Sequence, residues 1–302
     1  MKQYKTYKSK FILAAKGLAM GAADIIPGVS GGTVALISGI YEHLISAISR
    51  IHHSHLKSLF LVIFSKGKEK REKNISHIKT VPFNFFLPLL TGVLTGMVLM
   101  AGLIKKILKD YPFETYAYFF GLIFFSLTIP YKKMHHHAKE IVVLLVFAVL
   151  LFFLTGHDAT LETAHHPAYL FFCGAVAICA MILPGISGAF ILLLLGEYDY
   201  MLSALKSADV MVVLPFILGI LTGIFSFVRV LKYFLSRHHS LTMAALTGIM
   251  AGSLRKLWPF SHTTQSVSDT WLWALLFFLA GVFTLAMLEK ISVWLDDPEP
   301  PV

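Results

Sequence analysis

Apolar residues run in long blocks along this chain, separated by short polar or basic stretches. The blocks fall at 11–26, 31–48, 81–108, 113–130 and 141–155, then at 168–183, 188–205, 210–235, 241–254 and 270–287. Most are long enough to read as membrane helices. The first two are interrupted in an unusual way, by Asp24, then Pro27-Gly28, then Ser30-Gly31-Gly32. Proline and glycine break a helix, and Ser30 is a good cap for a new one starting at Gly31. The pattern predicts helix, break, helix, with the break inside the bilayer. Irregular backbone at that depth is tolerated only where protein or a water-filled cavity surrounds it, so such a break marks a site.

The interruption occurs twice. Residues 184–205 match residues 27–48 at an offset of 157 (184 − 27), with Pro27/Pro184, Gly28/Gly185, Ser30/Ser187, Gly31/Gly188, Gly39/Gly196 and Tyr41/Tyr198 in place. A second register holds at 127 (215 − 88), pairing Pro88/Pro215, Gly92/Gly219, Gly96/Gly223, Thr115/Thr242, Gly121/Gly248 and Ser126/Ser253. The two offsets differ by 30 (157 − 127), about the length of the basic stretch after Ile51. The chain therefore reads as a duplicated unit, 1–156 and 157–302, with an insertion at 52–80 in its first copy.

Five apolar blocks per copy resolve as one re-entrant hairpin around each Pro-Gly break plus three full crossings, or as five crossings if the hairpins span. Both counts are odd, so the second copy is inverted relative to the first. The expected fold is an all-α polytopic membrane protein of two inverted-topology repeats. Charge sets its orientation: Lys2, Lys5, Lys8 and Lys10, then Lys57, Lys66, Lys68, Lys70, Arg71, Lys73 and Lys79, then Lys132, Lys133 and Lys139 fall on one side. Residues 156–167 carry Asp158 and Glu162 but no Lys or Arg. The positive-inside rule places both termini in the cytoplasm. Lys105, Lys106, Lys109, Arg255 and Lys256 run against that assignment by falling on the outer side.

Composition agrees: 302 residues, 56% hydrophobic, 14% charged and a mean hydropathy of +0.72 exclude a soluble domain. The formal charge of +9 sits mainly in loops. That suits an anionic phospholipid surface rather than nucleic acid, for which no reader motif is present. Cys173 and Cys179 share one apolar block and read as buried thiols, not a disulfide framework. A cleaved signal peptide is not expected, because Lys16 ends the first apolar run too early.

At each break a helix starting on a Ser-Gly pair leaves backbone N–H groups unpaired, those of Gly31, Gly32 and Thr33 or of Gly188 and Ala189. The helix dipole favours an anion there, and glycine allows close approach. Two inverted copies would bring two such starts toward the midplane, a site for phosphate or carboxylate. Gly28, Ser30, Gly185 and Ser187 belong to it. Arg229 is surrounded by apolar residues, Arg255 ends a block, and Lys16 can pair with Asp24 or a bound anion; arginine is the geometric match for phosphate. Snorkelling is the alternative for Arg255. Asp24, Glu42 and Glu197 are candidate proton or cation carriers. The fourteen histidines lack metal-site spacing. No catalytic triad, nucleotide loop or cofactor motif is present, and nothing fixes an oligomeric state.

The stretches MGAADIIPGVSGGTVALISGIYE, ILPGISGAFILLLLGEY and LTGIMAGSLRKLWPF resemble signature stretches of the bacterial and archaeal polyprenyl-phosphate transporter family. The resemblance covers essentially the whole chain. It implies a multi-pass protein of the cytoplasmic membrane that returns undecaprenyl phosphate from the outer to the inner leaflet, recycling the carrier lipid for peptidoglycan and other envelope polymers. It places the family's re-entrant motifs at 27–33 and 184–189 and its basic positions at Arg229 and Arg255. PGVSGG and PGISGA also resemble the PGxSRS element of integral-membrane undecaprenyl-pyrophosphate phosphatases. Here Gly31 and Gly188 replace the arginine after serine. GLAMGAAD offers only Asp24 where such an enzyme carries paired glutamates, so hydrolysis lacks its general base. The expected mechanism holds the phosphate between the two helix starts, leaves the prenyl tail in a lateral groove between the copies, and rocks one copy against the other.

Overall fold

A computed structural model describes residues 7–26, 29–51, 54–55, 58, 61–62, 68–156, 165–262 and 267–295. Every regular element among them is helical. The first half carries α1 (Tyr7–Asp24), α2 (Gly31–Ile37), α3 (Tyr41–Ser49), α4 (Lys68–Ile78), α5 (Phe83–Asp110), α6 (Pro112–Ser126), α7 (Thr128–Lys132) and α8 (Ala138–Leu154). The second carries α9 (Pro167–Ile182), α10 (Gly188–Leu194), α11 (Tyr198–Lys206), α12 (Val210–Arg237), α13 (His239–Ser253), two short 3-10 turns, and α14 (Val267–Leu295). All ten apolar blocks are mainly helical where described. The helix α4 lies within the basic insertion, where no element was expected.

The expected continuous helices at 31–48 and 188–205 are each broken once more. Gly39 and Gly196 adopt φ of +75° and +74°, open to glycine at no steric cost. Around each, the chain closes a helix C-terminus in the same way. Ile40 N donates to Ala35 O at 3.0 Å and Gly39 N to Leu36 O at 3.2 Å. Glu197 N donates to Leu192 O at 2.9 Å and Gly196 N to Leu193 O at 3.0 Å. These are paired Schellman closures. Each bends the following helix by 116°, so both hairpins have the same shape. The hairpin turn is thus at the second glycine, not at the Pro-Gly break, which instead joins the hairpin to α1 or α9.

Among the described residues, four helices are long and apolar enough to cross a membrane, or up to six if each bent pair counts as one span. Leu94, Val98, Met211 and Phe283 are among many large apolar side chains left exposed on the long helices, an outer surface suited to lipid. This is a polytopic helical membrane protein.

Packing is pairwise and close. The helix α1 lies along α5, and α9 along α12, each pair within one half. A Cβ on Gly92 would stand 2.0 Å from Ala14 O, and one on Gly219 2.0 Å from Phe171 O, so both contacts exist only because these residues are glycine. The other two close pairs cross between halves: α6 lies along α14, and α8 along α13. The halves are interlocked through their last helices.

One end of the bundle is tied by ion pairs. Glu42 at the start of α3 receives Lys133 Nζ at 3.3 Å and His239 Nε2 at 3.2 Å on the same carboxylate oxygen. Nearby, Ser240 Oγ donates to Glu140 and accepts from His135 N, joining α13 to α8. The helix α3 also packs against α12 of the other half, whereas its counterpart α11 packs against α12 of its own.

Candidate functional site

The two breaks meet. Thr33, fully buried in the first turn of α2, accepts a hydrogen bond from Gly185 N at 2.9 Å across 152 residues of sequence. Ser30 Oγ donates to Met181 O at 3.3 Å at the end of α9. A Cβ on Gly32 would lie 2.9 Å from Ile182 O, so its absence lets α2 settle on the last turn of α9. Gly185 itself holds φ of +88°, with Met250 and Ser253 of α13 directly against it. Ser253 belongs to the repeat pair Ser126/Ser253, but nothing in that register placed it at the break.

The helix starts differ in what fills them. At the first, Ser30 caps α2 by accepting Gly32 N at 3.1 Å, and Asp24 accepts Gly31 N at 2.6 Å. A carboxylate of the chain itself therefore occupies the place where an anion was expected. At the second, Ser187 makes no side-chain cap bond to α10, and the position equivalent to Asp24 is Met181. Ser187 and Gly188 are half-buried and Ala189 is exposed, so this start is the more open of the two. Pro27 and Gly28 lie outside the described residues.

The other charged candidates each make their own contacts or none. Lys16 Nζ donates to Ser38 O at 2.8 Å, capping the far end of α2 instead of pairing with Asp24. Its functional counterpart in the second half is Tyr169, whose hydroxyl donates to the equivalent carbonyl of Leu195 at 2.9 Å. Nothing in the sequence pattern pairs a lysine with a tyrosine in this way, and the shared role emerges only from the fold. Arg229 is exposed on α12 and forms no hydrogen bond or ion pair with described residues. Arg255 is exposed beyond α13, donates to Phe152 O at 3.0 Å and lies 4.5 Å over the Phe152 ring. Arg229 lies 10 residues (239 − 229) before the His239 corner, roughly 15 Å of helix, and Arg255 lies beyond the 15 residues of α13, roughly 22 Å, so both stand back from the same corner.

Of the carboxylates, Asp24 is at the first break, Glu42 is in the ion-pair cluster at one end, and Glu197 is fully buried against His165 Nδ1 at 3.0 Å. No group of three or more His, Cys, Asp or Glu residues that could hold a metal occurs among the described residues. Cys173 and Cys179 are free thiols.

Comparison with known proteins gives a consistent result. A family described as VCA0040-like, undecaprenyl phosphate translocase-like, matches residues 20–272. A Vibrio cholerae protein named polyprenyl-phosphate transporter is 36% identical over 311 residues, covering 92% of this chain and 95% of its own. A Staphylococcus aureus protein of the same name is 30% identical over 302 residues, covering 94% and 97%. No solved structure matches the chain.

Proposed function

Because this chain belongs to the undecaprenyl phosphate translocase-like family, we propose that it carries a polyprenyl phosphate across the bilayer, the phosphate passing the junction of its two broken helices. The observation that carries this reading is the direct hydrogen bond between Thr33 and Gly185. It brings two glycine-rich, amide-bearing turns together, the arrangement by which discontinuous helices hold anions in transporters. The head group is received by Ser187, Gly188 and the Gly185 turn, and by Gly28, Ser30, Gly31, Gly32 and Thr33 once Asp24 yields the Gly31 amide. Arg229 and Arg255 supply the positive charge that attracts the head group. Lys16 holds the hairpin and has no direct part in the site.

The two halves are inverted copies in this reading. The α5–α6 corner at Tyr111 begins the 21-residue span Pro112–Lys132, and Lys133, just past its other end, shares Glu42 with the α12–α13 corner at His239. Equivalent corners thus stand at opposite ends of one span, about 30 Å apart. Exchange of the last helices makes the moving parts the α1–α5 and α9–α12 pairs, each with its hairpin, against a frame of α6, α14, α8 and α13. The protein resides in the cytoplasmic membrane with both termini inside, its basic segments against anionic phospholipid, and returns the carrier lipid for envelope synthesis.

A phosphatase is disfavoured by the single carboxylate at the first break, Asp24, which is held by a backbone amide. The relatives are named transporters, and the reading is of a carrier and not an enzyme. The test is reconstitution into liposomes with undecaprenyl phosphate and its pyrophosphate. Movement between leaflets without release of inorganic phosphate supports the reading; phosphate release, or no movement, refutes it.

A further inference from the structure

Two large cavities open on the sides of the bundle, and they are related by the duplication. The first, about 610 Å³, lies between α5, α6 and α14; the second, about 460 Å³, lies between α8, α12 and α13. Ile104 and Ile107 in the first wall stand at the positions of Leu231 and Phe234 in the second, 127 residues on. Thr115, Tyr118 and Phe119 stand likewise at the positions of Thr242, Ala245 and Leu246. Across each cavity the facing wall is the exchanged last helix, bearing Thr270 in one case and Val143 in the other, again 127 apart. Each cavity is therefore built by both halves, and neither exists in one half alone. Tyr111 and His238, the corner residues that place the cavities at opposite ends of the bundle, line them at equivalent positions.

We propose that these cavities are a matched pair of isoprenoid-chain sites, one for each leaflet, holding the units of the lipid nearest its phosphate; this rests on the transporter reading above. The second cavity reaches the head-group junction. Leu183 in its wall directly precedes Pro184, and Ile249 directly precedes Met250, which packs on Gly185. A hydrocarbon chain leaving the break meets this cavity at Leu183, two residues before Gly185. Both volumes fall in the range that buries a compact apolar ligand, roughly 300–1,000 Å³, so each holds a few isoprene units and leaves the rest of the tail in lipid. The walls are not equal. Glu114 and Tyr118 in the first cavity replace Leu241 and Ala245 in the second, so the first wets more readily and holds a hydrocarbon less tightly. The chain enters through the first cavity, on the outer side, and comes to rest in the second.

The experiment uses the full chain in liposomes with a diazirine-bearing polyprenyl phosphate. Mass mapping should place cross-links on α12–α13 around Leu241 to Ile249 and, more weakly, on α6 and α14, with photoreactive phosphatidylglycerol failing to compete. Ala245→Tyr introduces the side chain that the duplicate already carries at Tyr118. It should weaken long-chain prenyl phosphate by about tenfold, what roughly two buried methylene groups are worth, and leave dimethylallyl phosphate unchanged. Equal competition by phosphatidylglycerol identifies ordinary acyl chains as the occupants and overturns the proposal, as does an equal loss for long and short phosphates. If the unaltered protein binds neither prenyl phosphate, the transporter reading itself fails. The cross-link map needs no substitution, so a folding defect in Ala245→Tyr does not shield the idea.

Discussion

Thr33 and Gly185 are joined by a 2.9 Å hydrogen bond, hydroxyl oxygen to amide, although 152 residues separate them. Both are buried, and Gly185 is already committed to a left-handed turn, so its N–H has no helical partner to fall back on. Thr33→Val keeps the shape of the side chain and removes the acceptor. It should lower stability by about 1–3 kcal/mol, the cost of leaving one buried donor unsatisfied. Thr33→Ser should restore most of it. Thermal unfolding of the purified protein in detergent reads the difference; a Val variant as stable as the parent would show that the two breaks do not depend on one another.

The close helix pairs make a sharper comparison. Gly92→Ala puts a methyl 2.0 Å from Ala14 O, backbone that cannot swing aside, and Gly219→Ala does the same to Phe171 O. Overpacking of this kind costs about 1–3 kcal/mol. Gly102 lies on the same helix as Gly92 with open space around its Cβ position, so Gly102→Ala should be neutral or stabilising by up to ~1 kcal/mol from helix propensity. The three variants, compared by melting temperature and leaflet exchange, separate close approach from any general effect of losing glycine.

Much of this was legible in the sequence because apolar periodicity and glycine spacing act locally. The ten apolar blocks and each Pro-Gly break follow from residues close together in sequence; the Gly92/Gly219 pair was visible in the repeat, but the close helix contact it makes was not. The turn at Gly39 was present as a repeat pair with Gly196 but was absorbed into an apolar run, since a Schellman closure depends on φ and not on hydropathy. The site was less legible. Asp24 was recognised as unusual, yet its place on the Gly31 amide depends on how the chain folds back through the break. Exchange of α8 and α14 between halves left no local trace, because an apolar helix face does not specify which partner it meets.

The cluster on Glu42 joins three segments that the sequence keeps apart, α3, the residue after α7, and α13. Its members are roughly half exposed, so its contribution to stability is under about 1 kcal/mol. Its effect should be on which end of the carrier is open. Glu42→Gln should leave the melting temperature nearly unchanged while raising the reactivity of a cysteine introduced at position 240 toward a membrane-impermeant thiol reagent. Unchanged reactivity would mean that these ion pairs close nothing.

Arg229 and Arg255 predict different outcomes. Arg229 is free of described partners, so Arg229→Ala should fold and insert normally and lose binding of polyprenyl phosphate. Arg255 holds Phe152 O and stacks on its ring, so Arg255→Ala should also lower stability, by about 1 kcal/mol. Binding measured on purified protein at matched expression decides the matter for Arg229: if it is unchanged, that residue has no part in receiving the head group.

Asp24 ties the site to pH. Its carboxylate accepts Gly31 N at 2.6 Å, the charge-assisted contact that a phosphate oxygen would make on the same amide. Two anions cannot share that donor, so a head group reaching the first break must displace Asp24 or meet it protonated. Binding is then linked to proton uptake, and its affinity falls as pH rises through the range in which Asp24 gives up its proton. Asp24→Asn keeps an oxygen for Gly31 N and removes the competing charge. The variant should bind polyprenyl phosphate more tightly, and its leaflet-exchange rate should lose the part of its pH dependence that the parent owes to this carboxyl. Asp24→Ala leaves the amide bare and should behave alike in pH dependence, while losing about 1–3 kcal/mol of stability for the missing acceptor. Should both variants keep the parent's pH profile, Asp24 is a structural cap on α2 and the proton, if one moves, moves elsewhere.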